Sequence, residues 1–156
     1  MDKQIKFLSL CLEGKLNDYK LDSEAHSYLV SSLLKKADIP HSRVFGFVKD
    51  IELNTYVDCH FWNVLGDKDS PWIIDYRLPS SKIGKGIYDR VPDTPFGIFN
   101  KNMQKNYKYN MNEIEVRAHE IEALNAMTDD EYSSIELPEL FLMPLIAQLK
   151  GARIYY

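Results

Sequence analysis

Ser23, His60 and Asp75 supply, in chain order, the three kinds of group that nucleophilic acyl chemistry needs: a hydroxyl to attack, an imidazole to take its proton, and a carboxylate to orient the imidazole. Asp75 is the most telling of the three. It closes the run Trp72-Ile73-Ile74, and a carboxylate at the end of a buried strand needs a partner. Each residue also has a plainer reading. Serine is a favoured helix N-cap, a role that Asp22 can fill as well. His60 also reads as an ordinary residue of a half-buried strand with Trp62 as core, and Arg77, two positions along on the same face, is the plainer partner for Asp75.

The other chemistry-bearing residues make weaker patterns. Cys59 adjoins His60, but neighbours in a strand point to opposite faces, so Cys59 is expected to be a core thiol. Cys11 has no motif around it and reads as a small buried residue. His26, His41 and His119 show no ligand spacing. His119-Glu120 begins like a zinc-protease motif, but Ala123 stands where the second ligand belongs, and Gly84-Lys85-Gly86 is too short for a phosphate loop. No metal and no cofactor are expected.

The elements that must position the three residues follow from periodicity. Gln4 to Leu12 fits a helix or a strand locally and is assigned a short helix. Ala25, Tyr28, Leu29, Leu33 and Ala37 recur at three- and four-residue steps, which predicts a helix from Ser23 to about Asp38, before Pro40. Arg43 to Lys49, Tyr56 to Leu65 and Trp72 to Arg77 are rich in valine and aromatics and read as strands. If Gly66-Asp67-Lys68-Asp69 is a four-residue hairpin loop, Leu65 pairs with Ser70 and His60 lies opposite Asp75. From Pro79 to Asn110, glycine, proline, asparagine and lysine predict a long exposed loop region with at most one short element, and Pro92 to Phe99 a cleft rim. Asn112 to Met127 reads as a polar-faced helix, with a capping box at Thr128 and Glu131. Pro138 and Pro144 bracket a last apolar core segment. A helix followed by an antiparallel sheet makes the class α+β.

Across Tyr19 to Arg77 the chain resembles the transglutaminase-like (papain-like) cysteine enzymes. In that family the nucleophile opens a helix, an Ile-Pro step follows the helix, and the base begins a strand as His-x-Trp, with an aspartate on the next strand. Here these are Ser23, Ile39-Pro40, His60-Phe61-Trp62 and Trp72-Ile73-Ile74-Asp75. The resemblance covers roughly sixty residues and implies a nucleophile-bearing helix packed on an antiparallel sheet with a helical C-terminal segment. It implies a protease, amidase or glutamine deamidase acting on a protein or peptide. Oxyanion donors would be the Ser23 amide with Asn17 or Tyr19; Trp62, Pro95 and Phe96 would border the substrate cleft. The family usually reads Gly-x-Cys where this chain has Leu21-Asp22-Ser23. A cysteine there is ionised by the helix terminus and imidazole, whereas a serine depends wholly on its base. Three readings stay open: a serine put in place of the natural cysteine, a serine enzyme, or a scaffold kept to bind a peptide.

Composition sets the outer limits. With 156 residues, 45% hydrophobic and 27% charged, a single domain over 1–156 is expected. A net charge of −4, with 19 lysines and arginines scattered along the chain, argues against nucleic acid and anionic membranes. Two cysteines are too few for a disulfide framework. The chain has no apolar run of membrane-spanning length and no secretory opening, so a cytoplasmic protein is expected, with export as an effector compatible with family habit. Oligomeric state is left open.

Overall fold

The computed structural model describes residues 2–16, 21–79, 94–112, 137 and 139–150. Helix α1 (Asp2–Leu16) turns Ile5, Leu8, Leu12 and Leu16 inward, the three- and four-residue spacing of one helical face. Helix α2 (Ser23–Lys36) begins at Asp22, whose Oδ1 accepts the Ala25 N–H at 2.9 Å. Glu24 in its first turn and Lys35 and Lys36 in its last suit the helix dipole. The chain leaves it through Asp38, at φ 60°, and the Ile39-Pro40 step.

Among the described residues five antiparallel strands follow: β1 (His41–Asp50), β2 (Thr55–Leu65), β3 (Trp72–Asp75), β4 (Gly97–Asn100) and β5 (Tyr107–Met111), in the order β4-β3-β2-β1-β5. Alternation along the strands divides the core in two. On one face Leu65 and Ile74 pack with Leu8, Leu12, Leu29 and Leu33 of the helices. Leu142 and Leu145 of helix α3 (Glu139–Leu149) join them, and α3 runs through Pro144 instead of stopping there. On the other face Val44, Val48, Trp62, Val64, Ile73, Leu78 and Tyr107 form a second cluster. The rings of Phe99 on β4 and Tyr109 on β5 lie 5.7 Å apart although these strands are the two margins of the sheet. The sheet is therefore curled into a trough around the second cluster.

The α+β arrangement, with an N-terminal helix on an antiparallel sheet and a helical C-terminal segment, is as expected. Three details differ. The supposed loop from Pro79 to Asn110 contributes both margins of the sheet, β4 and β5; four residues of β4 between Pro95-Phe96 and the 3-10 turn Lys101–Met103 are too few to show alternation. The hairpin register is displaced by two: Asn63 pairs with Ile74 and Val64 with Ile73, which puts Trp62, not His60, across from Asp75. Ser70 and Pro71 extend the turn, Pro71 having no N–H to give to a ladder. Finally, β2 carries a bulge. Gly46 pairs with His60 and Val48 with Val57, two steps against three, and Cys59 takes the surplus at φ 53°. Cys59 is exposed there, not a core thiol. The predicted helix from Asn112 to Met127 and its capping box, together with residues 80–93, lie outside the described residues.

Candidate active site

Asp75 ends β3, and its side chain collects four donors. Oδ2 accepts from His60 Nε2 at 2.7 Å and from the Tyr109 hydroxyl at 2.8 Å. Oδ1 accepts the main-chain N–H groups of Arg77 at 2.8 Å and Leu78 at 3.0 Å. The expected Arg77 contact is thus made by its main chain. His60 and Asp75 are 1% and 2% exposed. Burial raises the Asp75 carboxyl, but His60 and the hydrogen bonds outweigh it, and the net shift is downward. With an ionised Asp75 as the acceptor, the proton of their bond lies on His60 Nε2. Tyr109 is held well above the ordinary phenol range, by burial first and by Asp75 second, so it remains a donor.

Ser23 reaches the same strand. With Asp22 as cap, Ser23 is the first residue of α2, and its Oγ accepts the N–H of Phe61 at 3.2 Å. That amide lies on the β3 flank of β2: Phe45, across from Phe61, turns its carbonyl the other way, to Asn112 N at 2.8 Å. Phe61 lies past the end of β3, so no ladder partner meets it there. The serine hydroxyl therefore sits in a notch in the plane of the sheet where β3 parts from β2, one residue from His60. Two buried contacts hold α2 in this position. Arg43 Nε donates to Ser27 Oγ at 2.8 Å and Asn63 Nδ2 to Ser27 O at 3.1 Å.

His26, one turn along α2 from Ser23, is the residue that spacing alone did not single out. Its ring centroid is 5.6 Å from that of Tyr76, and its Nε2 has no hydrogen-bond partner among the described residues. Burial lowers its pKa to about 3, with Arg77 adding to the shift and Asp75 opposing it, so it is neutral beside the His60–Asp75 pair. The bond from Tyr109 to Asp75 is equally hidden, because nothing in the sequence pairs these two residues.

The remaining candidates separate. Trp62 is buried in the second cluster, its ring stacked 6.2 Å from His60. Phe96 packs with the first cluster, edge-on to Tyr76 at 5.1 Å, and Pro95 beside it is buried. Asn17 and Tyr19 lie outside the described residues, as does His119. His41 is structural: Nδ1 donates to Ile39 O at 2.8 Å, so Nε2 accepts from Ser31 Oγ at 2.7 Å. Among the described residues no group of three His, Cys, Asp or Glu side chains could hold a metal ion. None of their helices is long and apolar enough to cross a membrane.

No protein-family model, curated protein or solved structure matches the chain.

Proposed function

We propose that this protein transfers acyl groups at an amide or peptide bond of a protein or peptide, as a protease, amidase or glutamine deamidase of the transglutaminase-like class. The observation that carries the reading is the buried 2.7 Å bond between His60 and Asp75, with a serine hydroxyl against the next residue of the same strand. Ser23 Oγ attacks the carbonyl carbon while its proton passes to His60, and Asp75 stabilises the resulting imidazolium. His60 then returns the proton to the leaving nitrogen, and the C–N bond breaks to give an acyl-serine. Water repeats the sequence and frees the acid. Without the ionisation open to cysteine, Ser23 is a slow nucleophile, and Ser23→Cys should be faster.

A second reading is a non-catalytic interaction protein that keeps the scaffold to hold a peptide. The 1% exposure of His60 favours it, because the imidazole has almost no contact with solvent.

The test is release of ammonia or of new amino termini from a broad set of glutamine-containing peptides. Release by wild type, faster release by Ser23→Cys and none by Ser23→Ala or His60→Ala is the expected pattern. Silence of both wild type and Ser23→Cys would overturn the enzymatic reading. A partner captured equally by wild type and His60→Ala would support the second.

A further inference from the structure

Strand β2 outruns its neighbour: it is eleven residues long and β3 four, and the two are paired at Asn63 and Val64. After Asp75 the chain turns out of the sheet, because the main-chain N–H groups of Arg77 and Leu78 donate to Asp75 Oδ1. Among the described residues no strand therefore lies beside Thr55 to Phe61 on the flank away from β1. The direction of the main-chain groups there follows from β1. The Phe45 carbonyl accepts from Asn112 N and the Ile51 N–H donates to Asn106 O, both at the ends of β5, so Gly46, Val48 and Asp50 face β2. Val48 pairs with Val57 and Asp50 with Thr55. Tyr56, between them, thus points its N–H and C=O into the lane that β3 vacates, and the same lane ends at Phe61, whose N–H is taken by Ser23 Oγ at 3.2 Å.

Thr55, Tyr56, Asp58 and Cys59 are exposed and Val57 is half-buried, so solvent reaches this half of the strand. An open edge recruits a partner through its main chain, a mode that tolerates many sequences. The bulge at Cys59 keeps the lane short, which fits one extended segment better than the equally bulged edge of a second copy. Charge narrows the choice. Asp58 on the edge, with Asp22 and Glu24 on either side of Ser23, supplies three carboxylates that make no ion pair among the described residues, and Lys49, whose Nζ lies 5.5 Å over the Tyr56 ring, offsets one of them. We infer that this edge takes up an extended, lysine- or arginine-bearing segment of another polypeptide as an added β-strand, whose main chain pairs with Tyr56 and leads to the Ser23 notch. That the segment is the substrate rests on the acyl-transfer reading; strand addition itself needs no turnover.

The probe is acetyl-Lys-Thr-Val-Gln-Val-Thr-Lys-amide, whose β-branched residues favour the extended form. Titrated into the unaltered chain, it should slow hydrogen exchange of the Tyr56 amide saturably, as read by NMR. Copies N-methylated on alternate residues should divide by phase, one series losing binding and the other keeping it. Glutamate in place of both lysines should weaken binding severalfold, and salt should shrink that difference. Tyr56→Pro removes the outward N–H without touching the β1 ladder and should weaken binding about tenfold, the worth of one main-chain hydrogen bond, whereas Tyr56→Ala keeps that N–H and should bind as wild type does. The exchange and N-methyl measurements stand whether or not the proline variant folds. No saturable protection of Tyr56, equal binding by the two N-methyl series, equal or tighter binding of the glutamate peptide, or unchanged affinity in a folded Tyr56→Pro overturns the inference. Acyl release without protection at Tyr56 would defeat strand addition alone; protection without release would leave it standing and count against acyl transfer.

Discussion

His60 and Tyr109 donate to the same oxygen of Asp75, from β2 and from the sheet margin β5, at 2.7 and 2.8 Å. A carboxylate with both neighbours in place is held ionised and cannot swing away from the imidazole. The phenol is thus a third member of what the sequence presents as a pair.

Tyr109→Phe keeps the ring and deletes that donor, and it should cost about 1 kcal/mol in urea unfolding. The direction with pH is also fixed. The folded-state value of Asp75 is depressed, so its contribution is present above the unfolded carboxylate value and is lost as pH falls through the folded value. Removing a bond that lowers this value moves the loss upward, and the acid-unfolding midpoint of Tyr109→Phe should lie at higher pH than that of wild type. An unchanged midpoint would show that the phenol has no hold on the carboxylate.

His26 predicts a slope in the range where histidine ordinarily titrates. Its value falls from 6.5 to about 3 on folding, so between these limits the unfolded chain binds a proton that the native state does not. Its contribution to stability is intact above pH 6.5 and declines as pH falls toward 3, by at most about 1.4 kcal/mol per pH unit. Burial lowers His41 as well, and it adds in the same sense. Urea midpoints measured from neutral pH down into the acid range should fall less steeply for His26→Leu than for wild type; parallel profiles would contradict the buried neutral assignment.

The two thiols should react at different rates. Cys59 stands exposed on the bulge of β2, while Cys11 is partly buried against the helical cluster with its pKa raised by burial. A disulfide reagent added to the native protein should modify one thiol per chain rapidly, and peptide mapping should identify Cys59. Equal rates would contradict the difference in exposure between the two thiols.

Among the described glycines, Gly46 leaves the least room for a methyl group. A Cβ built there would stand 1.9 Å from the main-chain oxygen of Asn110, an atom that cannot turn aside. Gly46→Ala must push β5 away from β1 and should destabilise by about 3 kcal/mol, at the upper end of overpacking costs. Because β5 carries Tyr109, this variant should also share the raised acid-unfolding midpoint of Tyr109→Phe. Wild-type stability in Gly46→Ala would mean that β5 does not lie so close.

The parts of this fold that were legible in the sequence are those whose periodicity is undisturbed. Helix α2 announces itself by Leu29 and Leu33, and the first three strands by their aromatic and β-branched runs. The hairpin register is not legible because Gly66 to Asp69 already contains a complete turn signal, while the two extra residues, Ser70 and Pro71, act through a missing N–H and a serine hydroxyl that accepts from Trp72 N at 3.2 Å. The exposure of Cys59 is not legible because strict alternation does not hold across a bulge, and no residue type marks this one. The approach of Ser23 to Phe61 was beyond reach for another reason: it depends on where β3 stops, which is a property of the pairing and not of either residue.

The two margins of the sheet, β4 and β5, are consecutive along the chain yet face each other across the trough. During synthesis the first four strands emerge before Tyr109 exists, so the ribosome delivers the wall and its phenol after the strands that carry His60 and Asp75. The acid–imidazole pair is fully wired only in a chain that has closed its sheet, and any truncation before residue 109 leaves the site one donor short.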